Sequence, residues 1–297
     1  MVYGRQKILL TVLKKARGRK VSKLHLVKWL FLLKEEGDLD PQGSFYDFLP
    51  YKYGPFSFLL YKEMVDLEKQ SLIRVQNHDV VYTELADQYL KPSLPSATMR
   101  SIDRVLEEYG EMSQDEIIDY VYTRFPWYAS KSELRAAAST EQPNCAMEPA
   151  VYTFGYEGLS IDATLDIFLR KHLKNIIDVR SNSFSRKYGF SSRELKRRCE
   201  DLDINYHHFP ELGIAALLRS ESNREDLWKT YEEKILPRAP HAVEKAADLC
   251  RSAPSALLCF EKDPEMCHRR ILAQHVSRLT ELPVYHYGAV DRTWSRA

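Results

Sequence analysis

Short apolar segments in the C-terminal half of the chain end in polar residues. They span residues 151–154, 175–177 and 256–260. Asp178 directly follows the second segment, and Glu261 directly follows the third. Short apolar runs bounded by turn or polar residues are typical of buried strands, and parallel strands bind ligands at the edge where their carboxyl ends meet. The sequence therefore predicts an α/β domain with an open, mostly parallel, Rossmann-like sheet and a polar site at its strand ends.

The chain of 297 residues is long enough for two domains. Residues 139–149 are polar, contain two prolines and show no hydrophobic periodicity, which indicates a linker. We therefore expect one domain at residues 1–138 and an α/β catalytic domain at residues 150–297. No apolar run approaches the ~20 residues of a membrane span, and no signal-peptide pattern is found. Five cysteines without CxxC spacing favour a reducing, cytoplasmic location.

The first domain is predicted to be mainly helical and similar to a winged helix. Apolar residues at spacings of three and four predict helices at residues 7–16, 24–33 and 57–68. Two apolar runs, residues 72–75 and 80–83, flank a polar turn and predict a β-hairpin. Three helices followed by a hairpin are the element order of a winged-helix domain. We expect this domain to bind DNA or a protein partner.

Positive charge is concentrated in two segments, although the net charge is only +1. Ten Lys or Arg residues and no acidic residue precede Glu35, and a second basic cluster spans residues 186–198. Charge segregated in this way is typical of nucleic-acid binding, and the alternative is a pair of solvated helix faces. We expect DNA to contact both clusters. The predicted DNA contacts are Arg17, Arg19, Lys20, Lys23, Lys28, Arg193 and Arg197.

Asp178 and Arg180 are the strongest candidates for a functional pair at the strand ends. They alternate with Val179, so both side chains point to the same side of the strand. We expect Asp178 to be catalytic, and the alternative is an internal ion pair that orders the loop. The other predicted catalytic residues are Glu157, Glu211 and His208. The predicted substrate-binding residues are Tyr156, Arg180, Ser183, Ser185, Arg186, Phe190, Tyr206, Glu261, Cys267, His268 and Arg269.

Three functions are open for Cys267-His268-Arg269 at the predicted start of a helix. A helix N-terminus and nearby arginines would favour a nucleophilic thiolate at Cys267. A metal site is disfavoured, because neighbouring ligands point apart and no second Cys/His pair has zinc spacing. We favour an anion-binding site, called here the anion grip. In it, His268, Arg269 and the free N–H groups at the helix N-terminus bind the anion, and the Cys267 thiol packs inward.

An ordered set of short motifs in this half is similar to that of the family named domain of unknown function 488. The motifs are Gly155-Tyr156-Glu157-Gly158, Asp178-Val179-Arg180, Ser185-Arg186 with Gly189-Phe190, Tyr206 with Glu211-Leu212-Gly213, and Cys267-His268-Arg269. The resemblance covers roughly residues 150–290. It implies a compact α/β domain with a polar cleft and does not imply a settled reaction.

A second resemblance concerns residues 24–73, which look like a Panacea-type antitoxin domain. It is carried by Lys23-Leu24 before an apolar helix, by the turn Tyr53-Gly54-Pro55, and by a helix that ends near Leu67 and Leu72-Ile73. The resemblance implies a module that binds a protein partner or associates with DNA.

Carboxylates, arginines and aromatic residues together predict a hydrolase that acts on DNA. Arginines beside the carboxylates would compete with a cation, so we expect neither a metal ion nor a cofactor. In a DNA glycosylase, an aromatic ring stacks on the extruded base, arginines bind the phosphates, and a carboxylate stabilises the oxocarbenium ion. This combination of residues therefore favours a DNA glycosylase. The alternatives are a non-catalytic DNA- or nucleotide-sensing regulator and a metal-dependent nuclease. A role in defence against phage or other foreign DNA is expected by analogy with Panacea-type proteins alone.

Overall fold

A computed structural model describes most of the chain. The described residues are 2–16, 21–39, 45–134, 148–215, 218, 223–287 and 294–296. The chain divides into two compact units, Met1–Glu141 and Gln142–Ala297. Most of the predicted linker at 139–149 lies outside the described residues.

The first unit combines five helices with two β-hairpins among its described residues. The helices are α1 Gly4–Lys15, α2 Lys23–Glu36, α3 Phe58–Lys69, α4 Ser96–Tyr109 and α5 Gln114–Arg124. The strands are β1 Leu49–Tyr51, β2 Gly54–Phe56, β3 Ile73–Gln76 and β4 Asp79–Tyr82, and they pair as β1 with β2 and β3 with β4. The three predicted helices and the hairpin after them are therefore present. The segment around Gly54 was predicted only as a turn. In the structure it is the β1–β2 hairpin, and Gly54 has a positive φ.

Helix α2 lies at the centre of this unit. Every residue from Leu26 to Leu33 is buried, and the helix packs against α4, α5, β2 and β4. The side chain of Ser22 caps its start by accepting a hydrogen bond from the His25 amide at 3.2 Å. Seven of these eight buried residues are apolar, and the eighth is Lys28. A helix that is apolar on all sides is typically buried in a core. Because α2 is such a helix, Lys28 is buried together with its apolar neighbours.

The second unit is built on a six-stranded sheet. Its strands are β5 Val151–Gly155, β6 Asn175–Asp178, β7 Asn205–His208, β8 Ser255–Cys259, β9 Val284–Tyr287 and β10 Trp294–Arg296. Its helices include α6 Ile161–Arg170, α7 Ser192–Glu200, α8 Arg224–Thr230, α9 Pro240–Ser252 and α10 Arg269–Thr280. The strand order is β10-β9-β5-β8-β6-β7, with β5 to β9 parallel and β10 antiparallel at one edge. The prediction of an open, mostly parallel α/β sheet is confirmed, while β9 and β10 were not predicted.

Strand β8 positions the site, because it lies between β5 and β6. Gly155 pairs with Cys259, and Asp178 pairs with Leu258. The carboxyl ends of three neighbouring strands therefore meet at one edge of the sheet. None of the helices in the described part of the chain combines the length and apolar character that crossing a bilayer requires.

Candidate functional site

A cleft of about 360 Å³ opens at the carboxyl edge of β5, β6 and β8. It is lined by Tyr156, Arg180, Ser181, Asn182, Phe184, Ser185, Arg186, Ile214, Cys259 and Phe260. These residues come from the ends of β5 and β8, from the segment after β6 and from the segment after β7. The structure thus brings together four of the predicted substrate-binding residues, which are Tyr156, Arg180, Ser185 and Arg186.

Aromatic rings form one wall of this cleft. The ring of Tyr156 stacks on that of Phe190, with centroids 4.0 Å apart and planes 9° apart. Phe260 meets the Tyr156 ring edge-on at 5.4 Å. Phe184 is 74% exposed and Phe260 is 42% exposed, although large apolar side chains are usually covered. The cleft therefore presents two aromatic side chains to a ligand.

Asp178 lies beneath the cleft and is fully buried. One carboxylate oxygen, Oδ1, accepts from the Arg180 amide at 3.1 Å and from Arg180 Nε at 2.8 Å. The other, Oδ2, accepts from Arg180 Nη2 and from the Tyr206 hydroxyl, both at 2.5 Å. A carboxylate saturated by four hydrogen bonds has no oxygen left for a substrate. This geometry favours the alternative of an internal ion pair in which Asp178 positions Arg180, and the catalytic role of Asp178 stays a prediction.

Arg180 is held from two sides and is only 5% exposed. Besides the pair with Asp178, its Nη1 donates to the Tyr156 hydroxyl at 2.7 Å. Burial alone would lower the pKa of Arg180, but the hydrogen bonds and the charge of Asp178 raise it above its usual value. The guanidinium is therefore a permanently charged group fixed in the cleft wall.

The segment after β6 carries an exposed cation of the cleft, Arg186. Arg186 is exposed, and its guanidinium has no carboxylate partner within the described parts of the chain. The backbone beside it is held by Ser191, whose hydroxyl accepts from the Ser185 amide and donates to the Ser185 carbonyl, both at 3.1 Å. Lys187 Nζ donates to the Tyr156 carbonyl at 3.3 Å. Ser183 is half-buried and does not line the cleft.

The other predicted catalytic residues do not line the cleft. Glu157, which follows the lining residue Tyr156 in the chain, is exposed, and its carboxylate accepts from the Lys262 amide at 2.9 Å. Glu211 is exposed on the short 3-10 turn Pro210–Leu212. His208 Nε2 is 2.8 Å from the Arg180 carbonyl. The geometry gives His208 a structural contact and leaves Glu157 as the exposed carboxylate beside the cleft.

Arg269 is not an anion grip, because it is fully buried. Its guanidinium donates to the carbonyls of Glu261 at 2.5 Å and Lys262 at 3.0 Å. Gly155 makes this approach possible, since a Cβ atom there would lie 1.9 Å from the Glu261 carbonyl oxygen. His268 is also buried, and its Nε2 lies 3.0 Å from the Val179 carbonyl. Instead of binding an anion, Arg269 at the start of α10 holds the loop that follows β8 through these two hydrogen bonds.

A buried cluster of two thiols and one imidazole includes Cys259, which lines the cleft and was not among the predicted site residues. Donor atoms of Cys259, Cys267 and His268 all lie within 4.8 Å of one another. Oε2 of Glu261 is 3.2 Å from the Cys259 sulfur. In the sequence, Cys259 was considered only as part of the apolar segment 256–260. The available signal was the pattern Cys-X-Glu before Cys-His, which places a second thiol at the carboxyl edge.

The charge state of this cluster follows from its contacts. Burial would raise the pKa of the Cys267 thiol, but hydrogen bonds to Cys259 and His268 lower it well below its usual value overall. The pKa of the Glu261 carboxyl is raised, first by burial and then by the nearby Cys267. The pKa of the Cys259 thiol is raised well above its usual value, first by its hydrogen bond to Cys267 and then by burial, so Cys267 is the thiol of the cluster that favours the thiolate form.

The first unit contains a separate cavity of about 370 Å³. Its lining residues include Lys23, Lys28, Gly54, Tyr61 and His78. Lys28 was predicted to contact DNA, but it is 1% exposed and its Nζ donates to the Tyr53 carbonyl at 2.5 Å. Lys28 is therefore a core residue and cannot belong to an exposed basic face.

The remaining predicted DNA contacts have different settings. Lys23 is half-buried in the wall of that cavity, whereas Arg193 and Arg197 are exposed on α7. Arg17, Arg19 and Lys20 lie outside the described residues.

The fold and cleft define an open α/β domain with an arginine- and aromatic-lined site at its strand ends. Residues 160–276 match the family model described as Domain of unknown function DUF488. This match supports the resemblance found in the C-terminal half. No curated protein and no solved structure matches the chain significantly. The Panacea-type resemblance of the first unit stays a prediction.

Proposed function

We propose that the second unit is a hydrolase that accepts a nucleotide of DNA in its cleft, with N-glycosidic bond cleavage as the reaction. The observation that carries this proposal is the combination of exposed Phe184 and Phe260 with Arg180 and Arg186 in one cleft. Aromatic side chains stack on unpaired bases, and guanidinium groups bind phosphate through two parallel hydrogen bonds. A nucleotide combines a flat base, which can stack on an aromatic ring, with a charged phosphate, which can bind a guanidinium group.

Glu157 is the residue proposed to support the bond cleavage. Its amide donates to the Phe260 carbonyl at 2.9 Å, so its position is tied to the aromatic wall. A carboxylate at the rim can orient water or stabilise the positive charge that develops on the sugar. Arg180, held in place by Asp178, would balance the charge of a bound phosphate.

The first unit is proposed to bind DNA or a protein partner. This proposal is supported by the three helices that precede the β3–β4 hairpin, although a further hairpin, β1–β2, lies between α2 and α3, and by Arg74, which is exposed on β3. A role in defence against foreign DNA belongs to this proposal and rests on the Panacea-type resemblance.

Removal of one aromatic ring should weaken binding of single-stranded DNA. We expect Phe184→Ala to lose about 1–3 kcal/mol of binding free energy, the contribution of a stacked base. We expect Arg186→Ala to weaken binding and to lessen its dependence on salt, because one phosphate contact is lost. Fluorescence titrations of a labelled oligonucleotide at several salt concentrations measure both effects.

Two exposed residues on the same unit provide matched controls for this experiment. Leu279→Ala removes an exposed apolar side chain from α10, and Lys245→Ala removes an exposed cation from α9. Both variants should bind like the wild type. If they weaken binding as much as Phe184→Ala and Arg186→Ala, the cleft is not the nucleotide site.

The reaction is tested by incubation with single- and double-stranded DNA carrying normal or modified bases. Abasic sites should form, and Glu157→Gln should remove most of the rate while keeping DNA affinity. Strand cleavage without base release would replace the proposal by a nuclease. Tight binding of DNA without abasic sites or strand cleavage would favour the alternative of a non-catalytic DNA- or nucleotide-sensing regulator.

A further inference from the structure

We propose that Cys259, Cys267 and His268 bind a divalent transition-metal ion of the zinc type, with Glu261 as the fourth ligand. The proposal does not depend on the proposed action on DNA. Two cysteines, one histidine and one carboxylate are a ligand set that suits zinc, which prefers four sulfur, nitrogen and oxygen donors.

The positions of the donor atoms are the first support. Atoms of Cys259, Cys267 and His268 lie within 4.8 Å of one another, and each of the three residues is 1% exposed. An ion at the centre of such a group can reach all three donors with small side-chain adjustments. Cys259 comes from the end of β8, whereas Cys267 and His268 come from the start of α10, so the fold brings the donors together from two different segments.

The orientation of His268 is the second support. Its Nε2 lies 3.0 Å from the Val179 carbonyl oxygen, which can only accept, so Nε2 carries the proton. In the neutral ring, Nδ1 then offers its lone pair to the thiol cluster. Metal-binding histidines in proteins commonly donate their other N–H to a carbonyl in this way. The edge of the Tyr231 ring, 5.2 Å away, further restrains the imidazole.

The fourth ligand is provided at the end of β8. Oε2 of Glu261 accepts a hydrogen bond from the Cys259 thiol at 3.2 Å, and a metal ion bound by this sulfur would take the place of that proton. The backbone of Glu261 is fixed by the Arg269 guanidinium and by the close approach to Gly155. The ligand loop is therefore already ordered, which is what a metal site requires of its surroundings.

Charge balance favours a divalent ion. A bound metal ion displaces the protons of its thiol and carboxyl ligands, so two thiolates and one carboxylate would carry three negative charges, and buried Arg269 beside them carries one positive charge. A divalent cation makes the sum zero, which removes the cost of burying unpaired charges. A metal site was disfavoured from the sequence because neighbouring ligands point apart and no second Cys/His pair has zinc spacing, whereas the fold brings Cys259 to Cys267 and His268.

Metal content of the full-length protein is the first measurement. Protein prepared under reducing conditions, without a histidine tag, should contain about one zinc per chain by plasma mass spectrometry. Metal-free protein titrated with Co²⁺ should show thiolate-to-cobalt charge-transfer absorption and the visible bands of tetrahedral cobalt. Wild-type protein that stays folded and shows neither zinc nor the cobalt–thiolate absorption would overturn the proposal.

Cysteine variants locate the ion. Cys259→Ser and Cys267→Ser should each lose the bound zinc and the cobalt–thiolate absorption. Cys250→Ser is the matched control, because Cys250 is an equally buried thiol of the same unit on α9. Equal loss of metal in Cys250→Ser, or a Cys259–Cys267 disulfide in place of the metal in native protein, would count against the site.

A milder variant keeps the test valid if the cysteine variants fail to fold. Glu261→Gln retains both thiols, so its cobalt complex should keep the thiolate absorption while its affinity for Co²⁺ falls. Unchanged affinity in Glu261→Gln would remove Glu261 from the ligand set and contradict the proposed fourth ligand.

Discussion

Replacement of Asp178 with asparagine is expected to lower the free energy of unfolding of the α/β unit by about 3–5 kcal/mol, as for other buried ion pairs that lose one partner. Arg180 is 5% exposed and donates three hydrogen bonds to this carboxylate. Asparagine keeps one acceptor but leaves the guanidinium charge buried without its counterion. Urea denaturation followed by circular dichroism measures the change.

Asp166→Asn is the matched control for this substitution. Asp166 pairs with Arg170 at 2.7 Å on the surface of α6, and the Arg170 side chain is 44% exposed. Loss of such an exposed helical pair should cost only about 0.5 kcal/mol. If Asp178→Asn proves as mild as the control while catalysis fails, Asp178 is a catalyst, as the sequence first suggested.

The second large effect concerns Lys28 and the stability of the first unit. Burial lowers the pKa of Lys28 to about 7. The cavity around it also contains Lys23 and His78, and its ammonium faces the Tyr53 carbonyl and the Tyr122 ring. A lysine in the unfolded chain binds its proton up to about pH 10, so between about pH 7 and pH 10 the unfolded state holds more protons. The free energy of unfolding should therefore rise with pH through this window, by an amount on the order of a few kcal/mol.

Lys28→Met should remove most of this rise and stabilise the unit near pH 7. Denaturation curves at a series of pH values, followed through the fluorescence of buried Trp29, measure the difference. Lys62→Met provides the comparison, since Lys62 lies on the surface of α3 with a side chain that is 44% exposed. A pH slope that is the same in wild type, Lys28→Met and Lys62→Met would show that Lys28 keeps its proton in the fold.

Features that depend on local patterns could be predicted from the sequence. Short apolar runs identify β5, β6 and β8 because buried parallel strands need apolar side chains on both faces. The alternation of Asp178 and Arg180 places both on one side, and the structure confirms their contact. The position of Lys28 could also have been inferred, since it is the only polar residue between Leu26 and Leu33.

Features that depend on backbone partners and on strand order could not be predicted in the same way. Arg269 was expected to bind an anion, but its acceptors are backbone carbonyls, which any sequence provides. The approach of Cys259 to Cys267 follows from the path of the loop after β8. Exposed Phe184 would be assigned to a core by composition alone, although it stands 74% exposed at the cleft.

The late position of β8 in the chain has a consequence for synthesis on the ribosome. Val151 of β5 pairs with Ser255, and Asn175 of β6 pairs with the same residue, so β8 joins two strands made long before it. Such distant pairings slow folding, and until they form, β5 and β6 present unpaired edges to other chains. The cleft and the thiol cluster both include Cys259 of this inserted strand. A nascent chain therefore has neither the complete cleft nor the thiol cluster until β8 has been made and paired.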